Sequence, residues 1–187
     1  GTLVAETLNG LAGDDTIYAS AGNDTLNGGM GNDTLAGDAG DDTYVFNLGD
    51  GQDIIENYDN GFDMATGTPG NARMDVLQFG AGILPAGVTA SKGGPNYGDL
   101  ILTVNGTPDS VTISNYYTVG QFWDPATSTN IDVRAGALDE IRFADGTVWA
   151  QAQMDALPIE GTPAGEIIYG TLVAETLNGL AGDDTIY

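Results

Sequence analysis

Residues 10–45 read GLAGDDTIY, ASAGNDTLN, GGMGNDTLA and GDAGDDTYV, four nonapeptides in one unbroken frame. Asp15, Asp24, Asp33 and Asp42 recur every nine residues. Gly13, Gly22, Gly31 and Gly40 stand two residues before them, and Thr16, Thr25, Thr34 and Thr43 follow. An apolar or aromatic residue comes next: Ile17, Leu26, Leu35, Tyr44. A Gly-rich hexapeptide can turn tightly and crowd its carbonyls inward, because glycine accepts positive φ and carries no Cβ. The triplet after it suits a short strand with its apolar residue inward and both neighbours outward. Turn, strand, turn, strand closes one coil of eighteen residues. Such coils stack at about 4.8 Å, the parallel-strand spacing. Repeats two apart then share an edge, which predicts Asp15 near Asp33 on one edge and Asp24 near Asp42 on the other.

The frame extends outward. Residues 1–9, GTLVAETLN, place Glu6 at the Asp position. After Val45 the frame slips by two residues and resumes as LGDGQDIIE, with Asp53 at the Asp position. It returns over residues 161–187 as GTPAGEIIY, GTLVAETLN and GLAGDDTIY, with Glu166, Glu175 and Asp184. Residues 1–18 recur unchanged as 170–187, an offset of 169 residues. The recurrence reads either as a tandem array of that period or as an overlapping end, with the array preferred. In an array, a copy of residues 159–169 would precede Gly1.

Charge says what the turns require. The 187 residues hold 27 acids against 4 bases, a formal charge of −23, with 29 glycines and neither cysteine nor histidine. Cys/His zinc sites, disulfides, His-dependent nucleophile systems and imidazole bases are thereby excluded. Nucleic acid and anionic membrane surfaces should repel such a chain, and no apolar stretch approaches the ~20 residues of a membrane span. Residues 1–56 contain eleven acids (Glu6, Asp14, Asp15, Asp24, Asp33, Asp38, Asp41, Asp42, Asp50, Asp53, Glu56) and no Lys or Arg. Stacked carboxylates do not stay ionised without compensation. A hard divalent cation remains as the answer. Ca²⁺ takes about 6–8 oxygens in flexible geometry, which two carboxylates and turn carbonyls supply, whereas Mg²⁺ demands a strict octahedron. Neither an EF-hand loop nor a phosphate-cradling G-x-x-x-x-G-K is present.

These residues resemble the RTX family, whose nonapeptide is G-G-x-G-x-D-x-U-x. The resemblance implies a parallel β-roll with several Ca²⁺ ions between successive turns on each edge, and bacterial secretion by a one-step (type I) export route. It implies carboxylate ligands at Asp15, Asp24, Asp33 and Asp42, with Asp53 and Asp184 added. It implies carbonyl ligands at Gly13, Gly22, Gly31 and Gly40 and at the positions two earlier, Leu11, Ser20, Gly29 and Asp38. Leu11, Ala19, Ser20 and Asp38 replace motif glycines, and Glu6, Glu166 and Glu175 replace Asp with a longer arm.

The period is lost over residues 57–158. Strands are predicted at 74–79, 99–104 and 110–113, and in a hairpin of 140–143 with 147–149 around Ala144-Asp145-Gly146. One helix is predicted from Ala150 to Leu157, stopped by Pro158. All four basic residues (Arg73, Lys92, Arg134, Arg142) fall here. DVLQFGAGI, DLILTVNGTPDSVTISNYY and DEIRFADGTVW resemble the haemolysin-type calcium-binding-related domain that lies between roll blocks in large bacterial RTX proteins. The expected organisation is all-β: a parallel β-roll over 1–56, a β-hairpin-rich domain with one short helix over 57–158, and the start of the next roll over 159–187.

The function expected first is a structural Ca²⁺-binding module of a tandemly repeated secreted or cell-surface protein. It would fold on Ca²⁺ outside the cell and serve as a stalk, an adhesin spacer, or a surface-layer or filament unit. Its partners would be calcium and neighbouring copies, with the C-terminal nonapeptides of one molecule docking head-to-tail where the next roll starts. A second reading is a carbohydrate- or ice-binding module. Tyr116, Tyr117, Phe122 and Trp123 would stack sugars, although core packing is the simpler reading, and the threonine ladders would present hydroxyls. The third is a Ca²⁺-dependent polysaccharide lyase or epimerase. A lyase wants a base beside the metal, and the roll has no basic residue, so no enzyme is expected.

Overall fold

The structure is a computed structural model. It describes residues 1–57, 74–93, 98–124, 129–133 and 136–157, with short pieces at 62–63, 68–69, 159–160, 167–168, 176–179, 183 and 185–186. It is nearly all β, with one short helix at Gln151–Asp155 where the sequence predicts 150–157. No helix among the described residues is long and apolar enough to cross a membrane.

Alternate nonapeptides enter alternate sheets, as the eighteen-residue coil requires. One sheet takes Thr7–Ala12, Thr25–Met30 and Thr43–Phe46, and continues through Val76–Phe79, Glu140–Arg142 and Val148–Ala150. The other takes Thr16–Tyr18, Thr34–Ala36 and Gln52–Ile55, and continues through Ser110–Ile113, Asp99–Val104 and Val88–Gly93. All pairings within the nonapeptides are parallel and in the frame of the repeat, Thr7↔Thr25↔Thr43 and Thr16↔Thr34. Both sheets therefore run on past residue 57: Thr43–Phe46 pairs with Val76–Phe79, and Gln52–Ile55 with Ser110–Ile113, still parallel. Within these two sheets antiparallel pairing begins at the far ends, where 99–104 pairs with 110–113 and with 88–93, and 140–142 pairs with 148–150.

Side-chain alternation places the apolar residue of each triplet inward. Register then stacks Leu8, Leu26, Tyr44, Leu77 and Ile141 on one sheet, and Ile17, Leu35, Ile55 and Ile113 on the other. From Leu26 and Leu35 onward these residues are buried, and they form one cluster with Phe46, Phe79 and Phe143. Each such side chain contributes about 1.5–3 kcal/mol by leaving water. The two-residue slip after Val45 is taken up in a turn where Asp50 Oδ2 accepts from the backbone N–H of Asn47 at 2.7 Å and from its Nδ2 at 3.1 Å.

The sugar-stacking platform is not formed by its first two members. Tyr116 and Tyr117 are 0% and 5% exposed and pack edge to face at 4.8 Å, with the Tyr117 hydroxyl donating to the carbonyl of Met154. The side chains of Phe122 and Trp123 lie outside the described residues. The threonine ladders end early, in Val76 on one face and Ile54 on the other.

Candidate metal centre

The turns put one carboxylate per nonapeptide on a sheet edge and stack it on the next coil. On one edge the backbone N–H of Asp15 donates to Asp33 Oδ1 at 2.8 Å, and that of Asp33 to Asp53 Oδ1 at 3.0 Å. On the other, Glu6 N–H donates to Asp24 Oδ1 at 2.7 Å, and Asp24 N–H to Asp42 Oδ1 at 2.8 Å. This second ladder continues into the middle segment, with Asp42 N–H to Asp75 Oδ1 and Asp75 N–H to Asp139 Oδ2, both 2.9 Å. One oxygen of Asp24, Asp33, Asp42, Asp53, Asp75 and Asp139 is thus spent on the backbone of the neighbouring coil. Oδ2 of Asp15, Asp24, Asp33 and Asp53 is buried and has no hydrogen-bond partner. A buried, uncompensated carboxylate costs several kcal/mol.

Turn geometry explains the motif glycines. Gly31 has φ 150°, and the carbonyl oxygen of Gly13 lies where a side chain on it would begin. The Gly22 carbonyl lies likewise under Gly40, and the Leu11 carbonyl under Gly29. Main-chain oxygens of one turn are therefore packed against the next turn. Gly10 and Gly28 lie against Oδ2 of Asp15 and Asp33, where a Cβ would fill the space beside the carboxylate. Leu11, Ser20 and Asp38, which replace motif glycines, are held at φ 81°, 82° and 65°. The backbone has kept the glycine conformation without the glycine.

Burial dominates the electrostatics. Asp24, Asp33, Asp42 and Asp53 are all 2% exposed or less. Asp53 has its pKa pushed up to about 7, first by burial, and further by the charges of Asp33, Asp50 and Asp109, against the lowering effect of the Asp33 N–H bond. Burial also raises Asp50, opposed by its bonds from Asn47. The Tyr44 hydroxyl, buried near Asp75, titrates well above its ordinary range and stays a donor.

The donors gathered here are oxygens alone, the set that suits a hard cation such as Ca²⁺. Among the described residues no three or more acidic side chains converge, so an ion between two coils would complete its shell from the main chain. Leu11, Gly13, Asp15, Gly29, Gly31, Asp33 and Asp53 lie along one edge, and Ser20, Gly22, Asp24, Asp38, Gly40 and Asp42 along the other. Asp184 lies outside the described residues. Asp75 and Asp139 were missed as rungs. Each is followed by x-U (Val76-Leu77 and Glu140-Ile141), which is the end of the nonapeptide without its glycine turn.

Fold and site together define a parallel β-roll with carboxylate ladders on its edges. The RTX calcium-binding nonapeptide repeat matches residues 1–35, 9–44, 25–55 and 169–187, and the haemolysin-type calcium binding protein related domain matches residues 99–153. The chain is accordingly an RTX calcium-binding repeat chain carrying a haemolysin-type calcium-binding-related domain, and so a Ca²⁺-binding repeat module. No curated protein matches it.

Proposed function

We propose that the chain is a structural module of a larger secreted or cell-surface bacterial protein, and that its roll folds when Ca²⁺ binds outside the cell. The observation that carries this reading is the row of buried, unpartnered Oδ2 atoms of Asp15, Asp24, Asp33 and Asp53 in a segment with no basic residue. In this reading Asp15, Asp24, Asp33, Asp42 and Asp53 supply carboxylates, with Asp184 in the next roll. Leu11, Gly13, Ser20, Gly22, Gly29, Gly31, Asp38 and Gly40 supply carbonyls. Bound Ca²⁺ supplies the positive charge between coils that the chain lacks. Its binding free energy is then folding free energy, about 4 kcal/mol per site at a thousandfold excess over Kd. Where Ca²⁺ is scarce, as in cytoplasm, the ladders repel and the chain stays unfolded enough for export.

Stacking of units is supported within the chain. Ile159–Glu160 pairs in parallel with Leu177–Asn178, and Ile167–Ile168 with Thr185–Ile186. Residues 177–178 and 185–186 are copies of 8–9 and 16–17. Ile159–Glu160 and Ile167–Ile168 thus pair where a preceding coil would meet a roll of this sequence, and tandem units would join into one continuous solenoid, a stiff stalk or spacer. Titration of chelated protein with Ca²⁺ and with Mg²⁺, followed by circular dichroism and light scattering, tests the reading. β-structure should appear at millimolar Ca²⁺ and much less with Mg²⁺. Equal spectra in chelator and in Ca²⁺ would refute it.

A further inference from the structure

At Asp15, Asp24, Asp33 and Asp53 the second carboxylate oxygen is buried without a hydrogen-bond partner. At Asp75 it has one: Oδ2 accepts from Asn57 Nδ2 at 2.9 Å. The same nitrogen donates its other proton to the carbonyl oxygen of Ala137 at 3.0 Å. Ala137 stands two residues before Asp139, as Gly13 stands before Asp15 and Gly31 before Asp33. Asp139 is the rung next to Asp75. Asn57 Nδ2 thus bridges a carboxylate oxygen of one turn and the pre-Asp carbonyl of the next. These are the two kinds of oxygen that a cation would gather lower in the roll.

The amide is locked in that orientation. The Tyr44 hydroxyl donates to Asn57 Oδ1 at 3.1 Å, and the Tyr44 oxygen accepts from the Gly37 N–H at 3.0 Å. This chain of bonds leaves Nδ2, the donor end, facing Asp75 and Ala137. Tyr44 occupies the inward position held by Leu26 and Leu35 in the two preceding repeats. Only a phenol there brings a hydroxyl to the edge. Asn57 is 1% exposed, so water does not compete for these bonds. Asp75 receives N–H donors on both oxygens, from Asp42 and from Asn57, and hydrogen bonds to a carboxylate stabilise its charge.

We propose that the Asn57 side chain takes the place of a cation at Asp75, so that the calcium ladder on this edge ends below that rung and the sheet enters the middle segment through a metal-free step. The inference rests on the reading that calcium fills the lower rungs. Crystals grown in saturating Ca²⁺ test both. Anomalous calcium peaks should lie between the stacked nonapeptides, and none between Asp75 and Ala137. Native mass spectrometry should count one more ion on Asn57→Asp than on the wild type, because a carboxylate then joins the two oxygens that the amide now bridges. A calcium peak beside Asp75 in the wild type, or equal counts for the two proteins, overturns the inference. Absence of calcium at every rung, with none counted on either protein, overturns the calcium reading beneath it.

Discussion

The backbone N–H of Asp24 donates to Oδ1 of Asp42 across one coil of the roll, at 2.8 Å. The residue that carries negative charge to the edge is thereby also the residue that ties one coil to the next. Backbone stacking and cation binding share one side chain, and a roll without its cation keeps the tether but adds the repulsion of the charges.

Substitutions along the ladder should therefore be unequal. Asp33 lies inside its ladder, bonded to the Asp15 N–H through its carboxylate and to Asp53 through its own N–H. Glu6 lies at the exposed end, where its carboxylate accepts from the Thr2 N–H. Asp33→Ala should raise the Ca²⁺ midpoint of folding by about tenfold or more, equivalent to ~1.4 kcal/mol. Glu6→Ala should move it by no more than about twofold. Equal shifts in a Ca²⁺ titration would contradict the ladder.

Two glycines separate backbone strain from close packing. A Cβ on Gly31 would strike the Gly13 carbonyl of the coil beneath it, whereas a Cβ on Gly13, at φ 117°, meets open space. Gly13→Ala should cost about 1–2 kcal/mol for its backbone alone. Gly31→Ala adds an overlap with main chain that cannot rotate away, for a total of about 3 kcal/mol or more. Denaturant melts in saturating Ca²⁺ measure the difference, and equal losses would show that the coils are not packed this closely.

Leu11 offers a gain. Its φ is 81° and its side chain is 74% exposed, so the residue pays for a left-handed backbone and buries little in return. Leu11→Gly should stabilise the Ca²⁺-bound protein by about 1 kcal/mol. A lower melting temperature for Leu11→Gly would mean that the leucine makes contacts that outweigh its strain.

The metal-free protein should weaken as pH rises. Burial holds the pKa of Asp53 up to about 7 in the folded chain, against an ordinary value of 3.8. The fold binds this proton more tightly than the unfolded chain does. That contribution is complete below pH about 4 and is lost as pH rises through about 7. In chelator, residual β-structure of the roll should be greatest at about pH 4 and should be lost over that window. Saturating Ca²⁺ should flatten or reverse the slope, because the ion binds the ionised carboxylate. Chelated protein whose β-structure grows from pH about 4 to about 7 would contradict this reading.

The coil was legible in the sequence because each of its determinants is local. Glycine, aspartate and the apolar residue recur at fixed offsets, and a period of nine residues leaves Asp15 and Asp33 one coil apart. The strands Asp99–Val104 and Ser110–Ile113 were equally plain, since a turn rich in Asn, Gly and Pro separates two apolar runs. The extension of the ladder was not. Asp75 meets Asp42 after 33 residues, and Asp139 meets Asp75 after 64, excursions over which no period survives. Only the D-x-U triplets mark those rungs, and such triplets are common in ordinary strands. Asn57 carries no motif, and its role comes from Tyr44, Asp75 and Ala137, which meet only in the fold.

The central claim is that cations between stacked turns order the roll. Hydrogen–deuterium exchange over residues 1–56, in excess chelator and in millimolar Ca²⁺, tests it most directly. The N–H groups of Asp15, Asp24 and Asp33, each held by the carboxylate of the next coil, report on the stack itself. They should exchange rapidly in chelator and become protected when Ca²⁺ is added, with Mg²⁺ giving little protection. Equal protection of these amides in chelator and in Ca²⁺ would show that the roll stands without its ions.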